Sequence, residues 1–132
     1  MSRYYKINKN YEEAEKTIKK AISNFELIFG APDIDPSQAV AHVILGEIYV
    51  DTNRYKQALE EYYFAKQYYE RVYKDNFFAM NEVSIVLADL AILGHNSGNK
   101  QLADENIQIL TSNFSADNEN VKRAKDALKT TQ

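Results

Sequence analysis

The side chains able to do chemistry in this 132-residue sequence are few in kind: two histidines, nineteen carboxylates, ten tyrosines and no cysteine. Without cysteine there is no disulfide, no thiolate zinc site and no sulfur nucleophile. His42 and His95 stand far apart, and neither belongs to an HExxH or similar pair. Asp33 with Asp35, and the cluster Asp117-Asn118-Glu119-Asn120, offer oxygen ligands. They lack the spacing, internal glycine and terminal glutamate of a calcium loop, so capping and turn roles fit them better. The sequence has no GxSxG elbow, no glycine loop to cradle phosphate and no triad order. The expectation is therefore a chain that is not an enzyme and that takes no metal or cofactor. His42 reads as a structural histidine rather than a ligand. His95 reads as a cation at a helix end, where it suits the dipole, or as a contact to a partner.

Composition narrows the classes further. The net charge is −3, so no basic surplus advertises nucleic acid or anionic lipid. The apolar stretch from Ile85 to Leu93 is broken by Asp89 and is far too short to cross a membrane. The N-terminal MSRYYKINKN has no apolar signal core. A cytoplasmic protein is the simplest expectation, although a secreted chain or a piece of a longer one would read the same. Hydrophobic residues make up 45% and charged residues 27%, which suits a globular chain. Four glycines and two prolines leave little material for many tight turns, which favours helices over sheet. Residues 1–132 fit one domain.

The elements that must position these residues follow from periodicity. Between Asn10 and Phe29, Tyr11, Ala14, Ile18, Ala21, Ile22 and Phe25 fall at helical spacing, with Asn10 and Glu13 forming a capping-box-like start. Gly30 and Pro32 close that helix. Asp35 is a candidate cap and Pro36 a first helical residue for a helix to about Val50. Asp51-Thr52-Asn53 breaks the chain before a long helix to about Lys74, with Tyr55, Ala58, Leu59, Tyr62, Ala65, Tyr69 and Val72 on one face. Asp75-Asn76 turns into an apolar helix from Phe77 to Leu93, which His95–Asn99 ends. A helix from Lys100 to Leu110 follows. Ser115 or Asp117 then opens a last one from about Glu119 to Lys129.

The turns align with one another. Asn10-Tyr11-x-x-Ala14-x-x-x-Ile18-x-x-Ala21 matches Arg54-Tyr55-x-x-Ala58-x-x-x-Tyr62-x-x-Ala65, and also Asn99-Lys100-x-x-Ala103-x-x-x-Ile107-x-x-Leu110. The steps are 44 and 45 residues. In-phase small residues at such a period mark repeated helical hairpins, because a small side chain lets one helix approach the other closely.

Leu45-Gly46-x-x-Tyr49 followed by Ala58-x-x-x-Tyr62-x-x-Ala65 resembles the tetratricopeptide repeat, with His42 where that family often has tryptophan. In the next unit Leu90-Ala91-x-x-Gly94 replaces Leu-Gly-x-x-Tyr, while Gly98, Ala103, Ile107 and Leu110 keep step. The units are longer than the basic repeat and look like the extended kind of kinesin light chains. The resemblance implies an all-α fold, a short right-handed superhelical solenoid of hairpins. Residues 10–29 would be the second helix of an incomplete unit, 36–74 the central unit, 77–112 a second full unit and 117–130 a capping helix.

The resemblance also implies a function: a non-catalytic scaffold or adaptor that binds a protein or peptide along the first helix of each unit. It places Val40, Val43, Glu47, Val50 and Asp51 on that face in the central unit, and Ile85, Ala88, Asp89, Ile92, His95 and Asn96 in the next. These residues are apolar or acidic apart from His95 and Asn96, which suits a hydrophobic segment with basic flanks rather than a carboxylate-ended peptide. The other reading is that they pack on a neighbouring or terminal helix. An alternative role is a peptide-sensing regulatory module of a larger signalling system. The incomplete first unit implies a bare apolar face near Ile18, Ile22 and Phe25. Another copy, another protein or a further segment would cover that face; a homodimer would form there or through the helix carrying Tyr63, Phe64, Tyr68 and Tyr73, although the aromatic residues also suit core packing. Lys16–Lys20 and the stretch VKRAKDALK read as solvated faces.

Overall fold

The computed structural model describes residues 10–29, 36–73 and 81–129. Every regular element among the described residues is a helix: α1 (Tyr11–Phe29), α2 (Pro36–Asp51), α3 (Tyr55–Tyr73), α4 (Asn81–Asn96), α5 (Lys100–Asn113) and α6 (Glu119–Lys129). The expected turn residues Gly30, Pro32, Asp33, Asp35, Asp75 and Asn76, and the start at Phe77, lie outside the described residues, as does the side chain of Phe25. Two compact units are distinguished, one through Tyr68 and one from Tyr69, with the division inside α3.

In the first unit α1 packs on α2. The sequence of α2 is apolar nearly all round, and it buries Ala39, Ala41, Val43, Leu45, Ile48 and Tyr49. α3 buries Ala58, Tyr62, Ala65 and Tyr68 at helical spacing. Gly46 of α2 faces the Tyr62 ring so closely that a Cβ there would lie 2.9 Å from Cε1. Ile18 is only 6% exposed, so the expected bare face of α1 does not include it; Ile22 is half-buried. Val72, placed by periodicity on the α3 core face, is 41% exposed, and that seam ends at Tyr69.

The α2–α3 turn is closed by its own backbone. The N–H of Asn53 donates to the Val50 carbonyl at 3.0 Å, and that of Arg54 to Tyr49 at 2.7 Å, across Asn53 with φ 62°. This is a helix C-terminus satisfied by a left-handed residue, which asparagine tolerates. Arg54 then fastens α1. Its Nη2 and Nη1 donate to Glu15 Oε1 and Oε2 at 2.6 and 3.2 Å, and its Nε donates to Thr52 Oγ1 at 3.0 Å. The guanidinium also lies 4.6 Å from the Tyr49 ring centroid. Hydrogen bonding from Arg54 holds the Glu15 carboxyl below its ordinary range; burial opposes this and Lys19, 2.8 Å away, adds to it.

In the second unit α4 packs on α5 and on α6. The α4–α5 turn repeats the first: Gly98 N–H donates to His95 at 3.3 Å and Asn99 N–H to Gly94 at 2.7 Å, across Gly98 with φ 78°. Asn99 caps α5 by accepting from Leu102 N–H at 3.1 Å. A Cβ on Gly94 would lie 2.5 Å from the backbone nitrogen of Ala103. α5 runs three residues past Leu110, where Thr111 and Asn113 bond back to the carbonyls of Ile107 and Ile109 until extended Phe114 ends it. The start of α6 departs from expectation. Neither Ser115 nor Asp117 caps it; Asn118 Oδ1 accepts from Asn120 and Val121 N–H at 2.7 and 3.2 Å. Ser115 instead accepts from Asp117 N–H in the preceding turn. The aligned alanines are core residues throughout, with Ala14 and Ala58 at 0% and Ala103 at 5% exposure.

Two outcomes test this packing. Alanine in place of a helical glycine gains roughly 1 kcal/mol of propensity, whereas overpacking costs about 1–3 kcal/mol. Gly94→Ala meets immovable backbone and should lose about 2 kcal/mol net in urea denaturation, while Gly46→Ala, which meets a ring edge, should lose about half of that. A neutral Gly94→Ala would refute the close approach. Glu15 has a depressed folded pKa, so its stabilisation is complete above the ordinary glutamate range and is lost as pH falls through the lowered value. Wild type should exceed Glu15→Gln by roughly 1 kcal/mol near neutrality, a partly exposed pair. The excess should vanish in acid.

Candidate functional site

Each hairpin presents its first helix as the candidate surface. On α2, Val40 is 40% exposed, Asp51 is exposed, and Glu47 and Val50 are half-buried. Val43, at 4% exposure, presents no surface, because its position on α2 faces the core. On α4, Ile85, Ile92 and His95 are half-buried and Asn96 is exposed, whereas Ala88 is fully buried. Val43 and Ala88 thus differ from the positions projected around them. The structure brings together Val40, Glu47, Val50 and Asp51 on one helix, and Ile85, Ile92, His95 and Asn96 on the other.

Asp89 has a different place. It is 6% exposed, and its Oδ1 accepts from Arg123 Nη1 of α6 at 2.6 Å. Arg123 also donates through Nη2 to the Ile85 carbonyl at 3.5 Å and to Asn120 Oδ1 at 3.1 Å. Asn120 Nδ2 donates to Ser84 Oγ at 3.0 Å, and Ser84 Oγ donates to the Asn81 carbonyl at 2.6 Å. A polar ladder thus runs from the start of α4 to Asp89, and α6 supplies its other side. The stretch VKRAKDALK is therefore more than a solvated face: Val121 and Ala124 are buried, and Arg123 is bound. Sequence reasoning missed this ladder, since its partners are separated by more than thirty residues and no local period links them.

His42 is held on α2 facing α3. Its Nδ1 lies 2.5 Å from Glu61 Oε1, and its ring stacks on Phe64 at a centroid distance of 3.8 Å. Both contacts fix the ring, while Nε2 is buried without a partner. Of the second aromatic stripe on α3, Tyr68 is core and Phe64 is covered by His42, leaving Tyr63 at 38% exposure. His95 lines a cleft of about 350 Å³ with Gly94, Gly98, Lys100, Ala103, Asp104 and Leu128. Lys100 and Asp104 pair with each other there at 2.8 Å, on the exposed side of α5.

Among the described residues no group of three or more His, Cys, Asp or Glu side chains is placed to hold a metal ion. Among them, too, no helix is long and apolar enough to cross a membrane. Compared with known proteins, the sequence matches no family model and no curated protein.

The Arg123–Asp89 pair gives a quantitative check. Breaking a fully buried pair costs roughly 3–5 kcal/mol, but Arg123 is 41% exposed and screened, so Arg123→Ala should cost about 2 kcal/mol. The double variant Asp89→Ala/Arg123→Ala should be more stable than Arg123→Ala alone, since no buried carboxylate is stranded. Additive losses in chemical denaturation would contradict the coupling.

Proposed function

We propose that this chain is a non-catalytic protein-binding scaffold, a short right-handed solenoid of tetratricopeptide-like hairpins that holds a peptide or helical segment along its first helices. The reading is supported by the in-phase alanines, all buried, and by two hairpin turns with the same hydrogen bonds 45 residues apart. The observation that carries it is the character of the surface left on α2 and α4. On α2, Val40 stays 40% exposed and Val50 is half-buried on the helix that carries the carboxylates of Glu47 and Asp51; on α4, Ile85 and Ile92 are half-buried. An apolar stripe edged by acid favours an apolar segment with lysine or arginine at its flanks. Affinity comes from the apolar contacts, and the charges select orientation and partner.

Selection of the full chain against a random peptide display library tests this. Enriched peptides should carry an apolar core with basic flanks. Val40→Glu or Ile92→Glu should weaken them at least tenfold while the helical circular dichroism signal persists. Enrichment of acidic peptides, or binding indifferent to both substitutions, would overturn the reading.

A further inference from the structure

We infer that the face of α4 formed by Ser84, Ile85 and Asp89 is a helix-docking site that α6 occupies in cis, and that its external partner is a basic amphipathic helix presenting an arginine to Asp89. The inference rests on the protein-binding reading above and names a partner class and a means of regulation for it.

Three observations meet here. First, α6 has the chemistry that the α4 face calls for. Its sequence ENVKRAKDALK sets buried Val121 and Ala124 among Lys122, Arg123, Lys125 and Lys129. Second, its hold combines a small apolar contact with polar ties. Asn120 on Ser84 and Arg123 on Asp89 and Ile85 are the ties, and only two side chains of the helix are buried. A helix of eleven residues is too short to persist alone in water, so α6 is ordered by its docking and yields by unfolding when displaced. Third, the fit is incomplete. Arg123 spreads its donors over Asp89, Asn120 and the Ile85 carbonyl and gives Asp89 a single bond. Asp89 Oδ2 is buried and has no partner. A carboxylate prefers two parallel N–H donors from one guanidinium. An incoming helix that approaches Asp89 end-on satisfies both oxygens and outcompetes α6, which cannot do so while tied to Asn120. In the resting chain α6 acts as a built-in competitor, keeping an acidic, under-satisfied site closed to weak ligands.

The probe is a fluorescent peptide of residues 117–129, together with its Arg123→Ala form. It is titrated into the full-length chain and into the full-length Val121→Ala/Arg123→Ala variant, whose own α6 is loosened. The wild-type peptide should bind the variant at least tenfold more tightly than it binds the wild-type chain. The Arg123→Ala peptide should lose roughly tenfold, as should the wild-type peptide against a chain that also carries Asp89→Asn. Equal binding to both chains, or no dependence on either substitution, overturns the inference. Should the variant fail to fold, hydrogen exchange on the wild-type chain decides: saturating peptide should deprotect 119–129, and unchanged protection refutes displacement. A concentration-dependent dimer that exchanges α6 between copies, seen by light scattering, would assign the face to a second copy and overturn the external partner. If library-selected peptides bind wild type and variant alike, this inference fails and the scaffold reading stands. If the library yields none, the scaffold reading fails by itself.

Discussion

At the turn between α2 and α3 the N–H of Arg54 reaches back 2.7 Å to the carbonyl of Tyr49, and at the turn between α4 and α5 the N–H of Asn99 does the same to Gly94. Both bonds span one residue with positive φ, Asn53 in the first turn and Gly98 in the second. This closure reverses the chain and satisfies carbonyls that a helix end would otherwise leave open. It also sets the distance between the two helices. Four residues on, Ala58 and Ala103 bond to the carbonyls of Arg54 and Asn99 and turn their methyl groups into the core. A larger residue at either place would have to push apart helices that the turn holds together.

How much of this the sequence discloses follows from which interactions are local. The alanine register, the helix at 119–129 and the breaks at 51–53 and 95–99 are readable because caps and periods act within a few positions. Gly94 was readable only as a departure from Tyr49. Its reason, the approach of the Ala103 backbone, is tertiary, although a glycine inside a helical pattern already signals such a contact. Val43 and Ala88, expected on an open face, are buried, because α2 and α4 are apolar nearly all round and periodicity alone does not say which flank is covered. Arg54 with Glu15, and Arg123 with Asp89, were illegible: each pairs residues more than thirty positions apart that any charged surface could contain.

Glu15 and His42 each tie one helix to another. Glu15 is hydrogen-bonded from two sides, by Arg54 and Lys19, which favours its ionised form against the opposing effect of burial. His42 has one ring nitrogen on Glu61 and its face against Phe64, so it is immobilised within a helix pair.

The two turns share a backbone but differ at one position, and that difference sets what each can carry. Where the first has Tyr49, the ring becomes a platform: Arg54 lies over one part of it, Lys19 approaches at 5.9 Å, and Glu15 joins them, so the turn fastens α1. Where the second has Gly94, α5 closes directly on α4, so that a Cβ there would lie 2.5 Å from the Ala103 backbone nitrogen, and Leu128 of α6 lines the cleft beside the turn. The hydrogen bonds that tie α6 lie further back along α4, on Ser84 and Asp89, through polar groups that exchange with solvent or ligand more readily than a packed ring does. One side chain at a repeated position thus separates a turn that carries an ion pair to another helix from a turn closed by direct approach of backbone.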